Sequence, residues 1–253
     1  MGTALVTGGT SGIGLSIARQ LAGHGHDLVI VARDQERLDK VASEISRQFR
    51  VTCEALSVDL SDEQACAGLE ARIADPDLPL EWLVNNAGFG FTDSFATSTI
   101  EEEQSQLDVL VRAPMRLTHA ALPGMIERGR GRILIVSSVA GFIPGGTYSA
   151  AKAYTTVFAE SLHAAYKSAG VHVTALCPGF THTELHQRAG MDMSSMPEWM
   201  WLDADAVAEG GIKACESGRA VATPGALYKG VQFATSIVPR PVVRAFIGRS
   251  SRA

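Results

Sequence analysis

The sequence predicts an α/β fold in a single domain, with a doubly wound parallel sheet between two layers of helices. Two observations predict it. Short apolar runs alternate along the chain with longer segments whose apolar residues recur every three or four positions, as in helices packed on a sheet. The runs carry charge only at their ends, which is typical of parallel strands buried on both faces. Strands that alternate with helices in this way form a three-layer parallel sheet.

Each element can be placed in order. The predicted strands are ALVT (4–7), DLVIVA (27–32), a run ending LSVD (56–59), EWLVNN (81–86), RILIVSS (132–138) and VHVTALC (171–177). The predicted helices are SGIGLSIARQLAGHG (11–25), RDQERLDKVASEISRQF (33–49), SDEQACAGLEARIA (61–74), a long helix ending near Met125, and TYSAAKAYTTVFAESLHAAYKSAG (147–170). Ligands of such sheets bind beyond the carboxyl ends of the strands. Residues that directly follow strands are therefore the candidate site residues.

Composition limits the function classes. The 253 residues are 46% hydrophobic, enough for one large core, and no linker divides the chain, so one domain is expected to span residues 1–253. A net charge of -5 argues against nucleic acid as a partner and favours a small molecule. The cysteines lack the CxxC spacing of zinc sites and suit a reducing compartment; they are Cys53, Cys66, Cys177 and Cys215.

Two further patterns concern location. The first apolar run begins at Thr3, which leaves no room before it for a secretory signal, so the sequence predicts a cytoplasmic protein. The stretch 133–151 carries no charge over a length that could span a bilayer. Serines, glycines and Pro144 interrupt it, however, so we expect a buried strand that runs into a loop and no integral membrane segment.

A glycine-rich turn follows the first strand. TGGTSGIG (7–14) places glycines between that strand and a helix, where the backbone can approach a ligand closely and the helix N-terminus attracts an anion. No lysine follows in the GK[ST] pattern, so a P-loop ATPase is disfavoured. We therefore predict a diphosphate here, and its predicted contacts are Gly8, Thr10, Ser11, Gly12, Ile13 and Gly14.

The end of the second strand predicts the cofactor. Ala32 occupies the position where an acidic residue would bind the ribose hydroxyls of NAD, and Arg33 follows it. An arginine there can bind a 2′-phosphate through charge-assisted hydrogen bonds. The sequence therefore predicts NADP(H) in preference to NAD(H). The alternative is that Arg33 is an ordinary solvated surface charge.

Four motifs together resemble the short-chain dehydrogenase/reductase family. TGGTSGIG, NNAG (85–88), a serine ahead of YSAAK, and PGFTHT (178–183) occur in that family's order over nearly the whole chain. The resemblance implies a Rossmann-like domain that forms homodimers or homotetramers through its long helices. It also implies a set of cofactor contacts: Asp59 and Leu60 at the adenine, Asn86, Ala87 and Gly88 at the adenosine ribose, Pro178, Gly179 and Thr181 near the nicotinamide, and Thr183 at its carboxamide or a phosphate. Asn85 resembles a tie between strands.

The same resemblance implies catalytic roles for three residues. Tyr148 would be the general acid that protonates the alkoxide formed when a carbonyl accepts a hydride, provided that its pKa is lowered. Lys152 lies one helical turn further on and would both lower that pKa and hold the nicotinamide ribose. Ser138 would bind the substrate oxygen, whereas Ser137 would point to the other side of the strand. Only ten positions separate Ser138 from Tyr148, which predicts a tighter loop than many members have.

One member of the family's usual catalytic set is missing. An asparagine on the long helix after NNAG normally holds a water that passes protons from the lysine to solvent, and its position here is filled by Leu110. A leucine side chain can neither donate nor accept a hydrogen bond. We expect backbone carbonyls and mobile water to carry the protons instead.

A segment after the sixth strand, about residues 181–203, is predicted to be a substrate lid. It includes the methionine- and tryptophan-rich stretch 191–206, which could adapt to apolar ligands; packing onto the core is the alternative. HTELH (182–186) spaces two histidines as in some zinc sites but does not match HExxH, so no metal is predicted.

The basic, partly apolar tail 238–253 indicates a subunit edge in preference to weak membrane contact.

These observations predict an NADP(H)-dependent carbonyl reductase or alcohol dehydrogenase that interconverts a ketone or aldehyde and an alcohol. A bulky apolar substrate is expected from the lid. The rival from another class is a dinucleotide-binding sensor or scaffold with weak catalysis, for which the leucine at position 110 is the best argument. An α/β hydrolase is disfavoured because the chain has no GxSxG nucleophile turn. The identity of the substrate and the physiological direction do not follow from the sequence.

Overall fold

A computed structural model describes residues 2–91, 93–184, 189–193 and 196–244. Its parallel strands are ordered β3-β2-β1-β4-β5-β6-β7 in one sheet. The strands are β1 (Thr3–Thr7), β2 (Asp27–Ala32), β3 (Cys53–Ser57), β4 (Leu80–Asn85), β5 (Gly131–Val136), β6 (Val171–Leu176) and β7 (Val221–Ala222). The predicted doubly wound, Rossmann-like α/β fold in a single domain is confirmed. Because the strand order reverses between β1 and β4, a crevice opens beyond their carboxyl ends.

Helices cover both faces of this sheet. They are α1 (Gly12–Gly23), α2 (Gln35–Phe49), α3 (Glu63–Ala74), α4 (Ile100–Leu107), α5 (Ala113–Glu127), α6 (Gly146–Tyr166), α7 (Ala204–Glu216) and α8 (Ala226–Ile237). A π-helical turn at Asp108–Arg112 joins α4 to α5, and short 3₁₀ turns lie at Val139–Phe142, Lys167–Ala169 and Glu198–Met200. None of the helices in the described ranges is long and apolar enough to cross a membrane.

The alternation of side chains along each strand builds two cores. Leu5, Val29 and Leu83 point to the face covered by α3, α5 and α6. Ala4 and Trp82 point to the other face, where α1, α2 and α7 pack. Successive strand residues therefore bury both faces, which explains why the runs look uniformly apolar.

Capping fixes where several helices begin. The Asp34 side chain accepts a hydrogen bond from the Arg37 backbone at the start of α2, and Asp62 does the same at α3 for Gln64 and Ala65. Each such cap stabilises its helix by about 1 kcal/mol. The turns that lead out of the carboxyl edge of the sheet are thus fixed locally, and the site residues on them are held in place.

The structure differs from the predicted elements in several places. It has two helices, α7 and α8, that were not predicted from the sequence. The long helix before β5 is interrupted by the π-helical turn that contains Leu110. Strand β3 ends at Ser57, so Asp59 lies in the loop beyond it. Strand β7 has two residues, too few for a sequence pattern to indicate, and it pairs with β6 at Ala175 and Leu176.

Candidate active site

The glycine turn between β1 and α1 is closed by contacts that exclude side chains. Gly8 and Gly12 have φ angles of +66° and +52°, in the left-handed region that glycine adopts without strain. A Cβ on Gly14 would lie 2.3 Å from both the Asn86 amide nitrogen and the Gly8 carbonyl oxygen. Thr10 is buried, and the Ser11 hydroxyl does not cap α1. The turn therefore leaves a concave backbone and an uncapped helix N-terminus, as a diphosphate requires.

The two asparagines of NNAG have different structural roles from those that the sequence indicated. Asn85 donates to the Thr118 hydroxyl at 3.0 Å and so connects β4 to helix α5, which corrects its interpretation as a tie between strands. The Asn86 amide donates to the carbonyls of Thr7 and Gly8 at 3.0 and 3.2 Å. Its side chain thus holds β1 to β4, because those carbonyls end β1. Only its backbone, with Ala87 and Gly88, is left for the predicted ribose contact.

The predicted adenine and 2′-phosphate contacts lie at the ends of β2 and β3. Arg33 is exposed and its carbonyl accepts a hydrogen bond from the Ser57 hydroxyl at 2.9 Å. Asp59 accepts from the backbone and hydroxyl of Ser61. Burial opposes its ionisation, but these bonds and the charge of Arg33 hold the pKa of Asp59 below its ordinary value. Leu60 is buried in the core, so its backbone and not its side chain borders this corner.

Arg37 is a charged residue at this corner that the sequence did not indicate. Its Nε donates to the Thr10 carbonyl of the glycine turn at 3.1 Å. Its two terminal nitrogens donate to Glu184 at 3.0 and 2.6 Å, a bidentate pair. Arg37 therefore connects the glycine turn to the first residues of the predicted lid. The only sequence signal was a second arginine in RDQER.

The three predicted catalytic residues lie together beyond β5. The Tyr148 hydroxyl is hydrogen-bonded to Ser138, and the Lys152 ammonium lies 5.6 Å from the centre of the Tyr148 ring. Lys152 also donates to the Val136 carbonyl at 2.8 Å. The short loop makes this possible because its 3₁₀ turn packs on α6: a Cβ on Gly141 would lie 2.8 Å from the backbone of Lys152.

Ser137 points away from this cluster, as its strand position predicts. Its hydroxyl donates to the Lys152 carbonyl at 2.7 Å and lies 2.8 Å from the Thr156 hydroxyl, all buried. These bonds anchor the first turns of α6 to the end of β5. Ser137 thus fixes where Lys152 sits, while Ser138 faces the crevice.

The protonation of the cluster differs from the expectation. Burial raises the pKa of Tyr148, and the bond to Ser138 offsets this only in part. Burial also lowers the pKa of Lys152 to about 8. The expected lowering of the Tyr148 pKa is therefore wrong, because burial, which opposes the charged phenolate, outweighs the bond to Ser138. Tyr148 carries its proton at neutral pH, as a general acid must.

The loop after β6 forms the floor of the crevice. The Pro178 carbonyl accepts a hydrogen bond from the Val139 backbone at 3.0 Å, and the Thr181 hydroxyl donates to the Gly179 carbonyl at 3.0 Å. Thr183 packs on the glycine turn: a Cβ on Gly12 would lie 2.8 Å from its methyl group. The predicted nicotinamide contacts thus lie between the catalytic cluster and the glycine turn.

The described part of the predicted lid borders a cavity of about 620 Å³ beside Gly12. Met191, Met193 and Trp201 line it. Trp199 is 71% exposed and does not line it. His182 stacks on Trp201 at 4.7 Å and bonds Glu198 at 2.9 Å. The second histidine of HTELH, at position 186, lies outside the described residues, as do positions 185, 187, 188, 194 and 195 of the lid.

Comparison with known protein families agrees with this fold and with these motifs. The model of the family described as short chain dehydrogenase matches residues 2–194. The chain belongs to the short-chain dehydrogenase family. Its fold and the order of its motifs are those of the family.

Three similar proteins, one curated relative and two solved structures, illustrate the substrates and cofactors named for members of this family. The very-long-chain 3-oxoacyl-CoA reductase of Bos taurus is 36% identical over 189 residues, and the match spans 72% of this chain but only 60% of that protein. A solved short-chain dehydrogenase from Sphingobium yanoikuyae in complex with NADPH is 30% identical, with a TM-score of 0.84 over 95% of this chain and 97% of its own. The bulky-bulky ketone specific alcohol dehydrogenase from Comamonas testosteroni is 27% identical, with a TM-score of 0.80 over 95% and 96% of the two chains.

Leu110 occupies a distinctive position in this short-chain dehydrogenase. It is 1% exposed and lies in the π-helical turn, and its Cδ2 would be 2.9 Å from a Cβ on Gly88. The Lys152 ammonium is 3.8 Å from the same point. Leu110, which the sequence aligns with the relay asparagine, and Lys152 therefore both lie next to Gly88. The polar neighbour that Lys152 has instead is the Val136 carbonyl, one of the backbone groups that the sequence led us to expect in a relay.

Tyr228, on α8, is a second residue that the sequence did not indicate. Its hydroxyl accepts from the Phe180 backbone at 3.1 Å and donates to the Met200 carbonyl at 2.7 Å, so it joins the two ends of the lid segment. Its ring lies over Gly179, where an added Cβ would be 2.0 Å from a ring carbon. Tyr228 is only 4% exposed. Its phenol thus fixes the nicotinamide-side loop and the lid base together.

We expect Tyr228→Phe to lower kcat/KM for a ketone by roughly 5- to 100-fold, because a buried backbone N–H and carbonyl each lose a partner. KM for the ketone is expected to change more than the Kd for NADPH, since the bonds lie at the lid base. Steady-state kinetics and cofactor titration measure the two. The control is Tyr166→Phe at the end of α6. A variant with a lower melting temperature but unchanged kinetics would show that Tyr228 only stabilises the fold.

Proposed function

We propose that this short-chain dehydrogenase reduces a ketone or aldehyde to an alcohol with NADPH, and that its preferred substrates are bulky and apolar. The observation that carries the proposal is the hydrogen-bonded Ser138–Tyr148 pair with Lys152 beside it, at the same sheet edge as the glycine turn. A proton donor, an oxygen-binding hydroxyl and a cation next to a dinucleotide cradle are the groups that carbonyl reduction requires. The reverse oxidation uses the same groups.

The chain's own residues fit a nicotinamide dinucleotide. The turn from Gly8 to Gly14 presents bare backbone at its glycines, and the N-terminus of α1 attracts the diphosphate of such a cofactor. When bound, the cofactor supplies the hydride. Lys152 would hold the ribose and Pro178 and Gly179 would border the nicotinamide. We assign Thr183 to the carboxamide or a phosphate because it packs on Gly12.

Proton transfer is the chain's part of the chemistry. Ser138 would orient the substrate oxygen and stabilise the negative charge that develops on it. Tyr148, which burial keeps protonated, would give its proton to that oxygen. Lys152 would stabilise the resulting tyrosinate. Lys152 would then return a proton to Tyr148 and take one from mobile water. The Val136 carbonyl accepts a hydrogen bond that holds the ammonium in place, and Leu110 offers no polar group to hold that water.

Two cations support NADP(H) over NAD(H). Arg33 is exposed directly after β2, where Ala32 offers no carboxylate to ribose hydroxyls. Arg37 is bonded to Thr10 of the glycine turn, so it reaches the same corner. Glu184 partly neutralises Arg37, which leaves Arg33 as the stronger candidate for the 2′-phosphate.

We expect Arg33→Ala to raise KM for NADPH by roughly 10-fold or more, the value of one or two charge-assisted hydrogen bonds, and to change KM for NADH little. Initial rates with both cofactors measure the preference. The matched control is Arg47→Ala, an exposed arginine at the far end of α2. An equal effect of Arg33→Ala on the two cofactors would contradict the assignment of the 2′-phosphate to this residue.

The cavity beside the glycine turn supports an apolar substrate. Two methionines and Trp201 form its apolar part, beside the polar His182, Thr183 and Glu184, and methionine side chains adapt to varied apolar shapes. The names of the relatives point the same way, since one acts on very-long-chain 3-oxoacyl-CoA and another on bulky-bulky ketones. We infer a ketone with a large apolar group on at least one side. The lid at about 181–203 would recognise that group.

A substrate panel tests the proposed function. Aliphatic, aromatic and polycyclic ketones, 3-oxoacyl thioesters and sugars are incubated with NADPH and NADH, and the loss of nicotinamide absorbance is followed. We expect turnover with NADPH that increases with apolar size. Turnover of small polar carbonyls alone would refute the substrate class, and turnover with NADH alone would refute the cofactor.

Assembly and location remain part of the proposal. Met115 on α5 and Tyr154 and Val157 on α6 are exposed apolar residues on the long helices. Pairing of these helices in a homodimer or homotetramer would bury them. We propose a homo-oligomer of this kind in the cytoplasm, which sedimentation of the whole chain and fractionation of cells can test.

A further inference from the structure

The C-terminal helix α8 has one apolar face without a covering element in the described part of the chain. Phe233 and Ile237, four positions apart and therefore on the same side of the helix, are 69% and 63% exposed. Val242, in the helical turn that follows, is 57% exposed. The opposite side of α8 is fixed to the protein by Tyr228. We call the exposed side chains of Phe233, Ile237 and Val242, with the exposed cations that neighbour them in the sequence, the α8 surface.

The charge of this part of the chain is opposite to that of the rest. From residue 226 to the end there are five basic residues and no Asp or Glu, whereas the whole sequence has 22 basic and 27 acidic residues. Three of the five, Lys229, Arg240 and Arg244, are described and all are exposed. The acidic excess therefore lies entirely outside this segment. Exposed apolar side chains with cations around them form a surface suited to an anionic, partly apolar partner.

Helix α8, whose outer side carries the α8 surface, packs next to the candidate active site. Its inner side contacts the 3₁₀ turn Val139–Phe142, directly after Ser138. The Tyr228 ring covers Gly179, and the Tyr228 hydroxyl bonds Phe180 and Met200 at the two ends of the predicted lid. A partner on the α8 surface would therefore be separated from the crevice by about the diameter of one helix, roughly 10 Å.

We propose that the α8 surface docks the protein on an anionic lipid bilayer. Phe233, Ile237 and Val242 would enter the boundary between headgroups and acyl chains, and Lys229, Arg240 and Arg244 would bind the anionic headgroups. The acidic remainder of the chain is repelled by such a membrane, which orients the molecule with α8 towards it. The proposal does not depend on the reaction, although docking would place an apolar ketone dissolved in the bilayer near the site.

A second copy of the chain fits this surface less well. A stable interface buries about 800 Å² on each partner, and three large apolar side chains supply only part of that area. A twofold contact would also bring the cations of one copy against those of the other. Shallow insertion into a bilayer needs no such area, and its anionic headgroups neutralise every cation at once.

Vesicle binding tests the proposal. The whole chain is mixed with phosphatidylcholine vesicles, with and without phosphatidylglycerol, and the bound fraction is measured by flotation at low and high salt. We expect binding to the anionic vesicles that weakens at high salt and is at least about tenfold weaker to phosphatidylcholine alone. Phe233→Ser with Ile237→Ser is expected to weaken binding by about tenfold or more. Arg240→Gln with Arg244→Gln is expected to weaken binding to the anionic vesicles by roughly fivefold for each cation removed.

The control is a matched pair of exposed cations elsewhere, Lys40→Gln with Arg47→Gln on α2, which is expected to leave vesicle binding unchanged. Circular dichroism checks that every variant is folded. Absence of binding to anionic vesicles, or equal losses in the control and the Arg240/Arg244 variants, would overturn the proposal. So would a wild-type oligomer that Phe233→Ser with Ile237→Ser converts to monomers while vesicle binding stays unchanged, because the surface would then be a subunit contact.

Discussion

Tyr148→Phe is expected to lower kcat for carbonyl reduction by roughly 10²- to 10⁴-fold, the contribution of a positioned general acid. The substitution removes the hydroxyl bonded to Ser138 and leaves the ring beside Lys152 in place. The Kd for NADPH is therefore expected to stay within a fewfold of wild type. Single-turnover rates and fluorescence titration of NADPH measure the two effects separately.

The control for this substitution is Tyr154→Phe, on the same helix but exposed and stacked on Phe158. It is expected to change neither quantity. A Tyr148→Phe enzyme that retains kcat within a fewfold of wild type would mean that another group donates the proton. A large loss of NADPH binding would mean that the phenol holds the cofactor and is not only an acid.

Lys152→Met is expected to lower both kcat and the affinity for NADPH, because one ammonium would stabilise the tyrosinate and hold the ribose. The pH dependence of NADPH binding distinguishes the role of Lys152 from that of other residues in the site. Burial lowers the pKa of Lys152 to about 8, so the ammonium predominates below pH 8 and the neutral amine above it. In the wild type, NADPH binding is therefore expected to weaken as the pH rises through 8. In Lys152→Met that dependence is expected to disappear.

The lowered pKa of Lys152 also predicts the direction in which the free energy of unfolding changes with pH. The unfolded chain holds this proton up to about pH 10.5, whereas the folded chain releases it near pH 8. The wild type is therefore expected to gain stability as the pH rises from 8 to 10.5, relative to Lys152→Met. Chemical denaturation across this range measures it, with the exposed Lys40→Met as the control. A parallel pH dependence of stability in the wild type and Lys152→Met would contradict a buried lysine with a lowered pKa.

The fold could be predicted because its causes are local in the sequence. Strands buried on both faces must be apolar throughout, and a glycine turn before a helix is set by sterics, as the contact between Gly14 and Asn86 illustrates. Ser138, Tyr148 and Lys152 could be placed together because a strand end and one helical turn fix their positions. The short loop between them closes since Gly141 lets its turn pack on α6.

The residues that escaped prediction depend on contacts between distant parts of the chain. Arg37 matters through Glu184, which is 147 positions away, and Tyr228 through Phe180 and Met200. No spacing or composition connects such residues. The pKa values of Tyr148 and Lys152 depend on how deeply each is buried, which the pattern YSAAK does not contain.

We expect this chain to catalyse hydride transfer from NADPH to a carbonyl although Leu110 replaces the relay asparagine. NADPH carrying deuterium at the reactive position of its nicotinamide tests it most directly, in a reaction with the best ketone of the substrate panel. We expect one deuterium on the carbinol carbon of the alcohol for each NADPH consumed, and Leu110→Asn, if it folds, is expected to change the rate only modestly. A wild type that binds NADPH but transfers no deuterium to any ketone, while Leu110→Asn does, would contradict the claim.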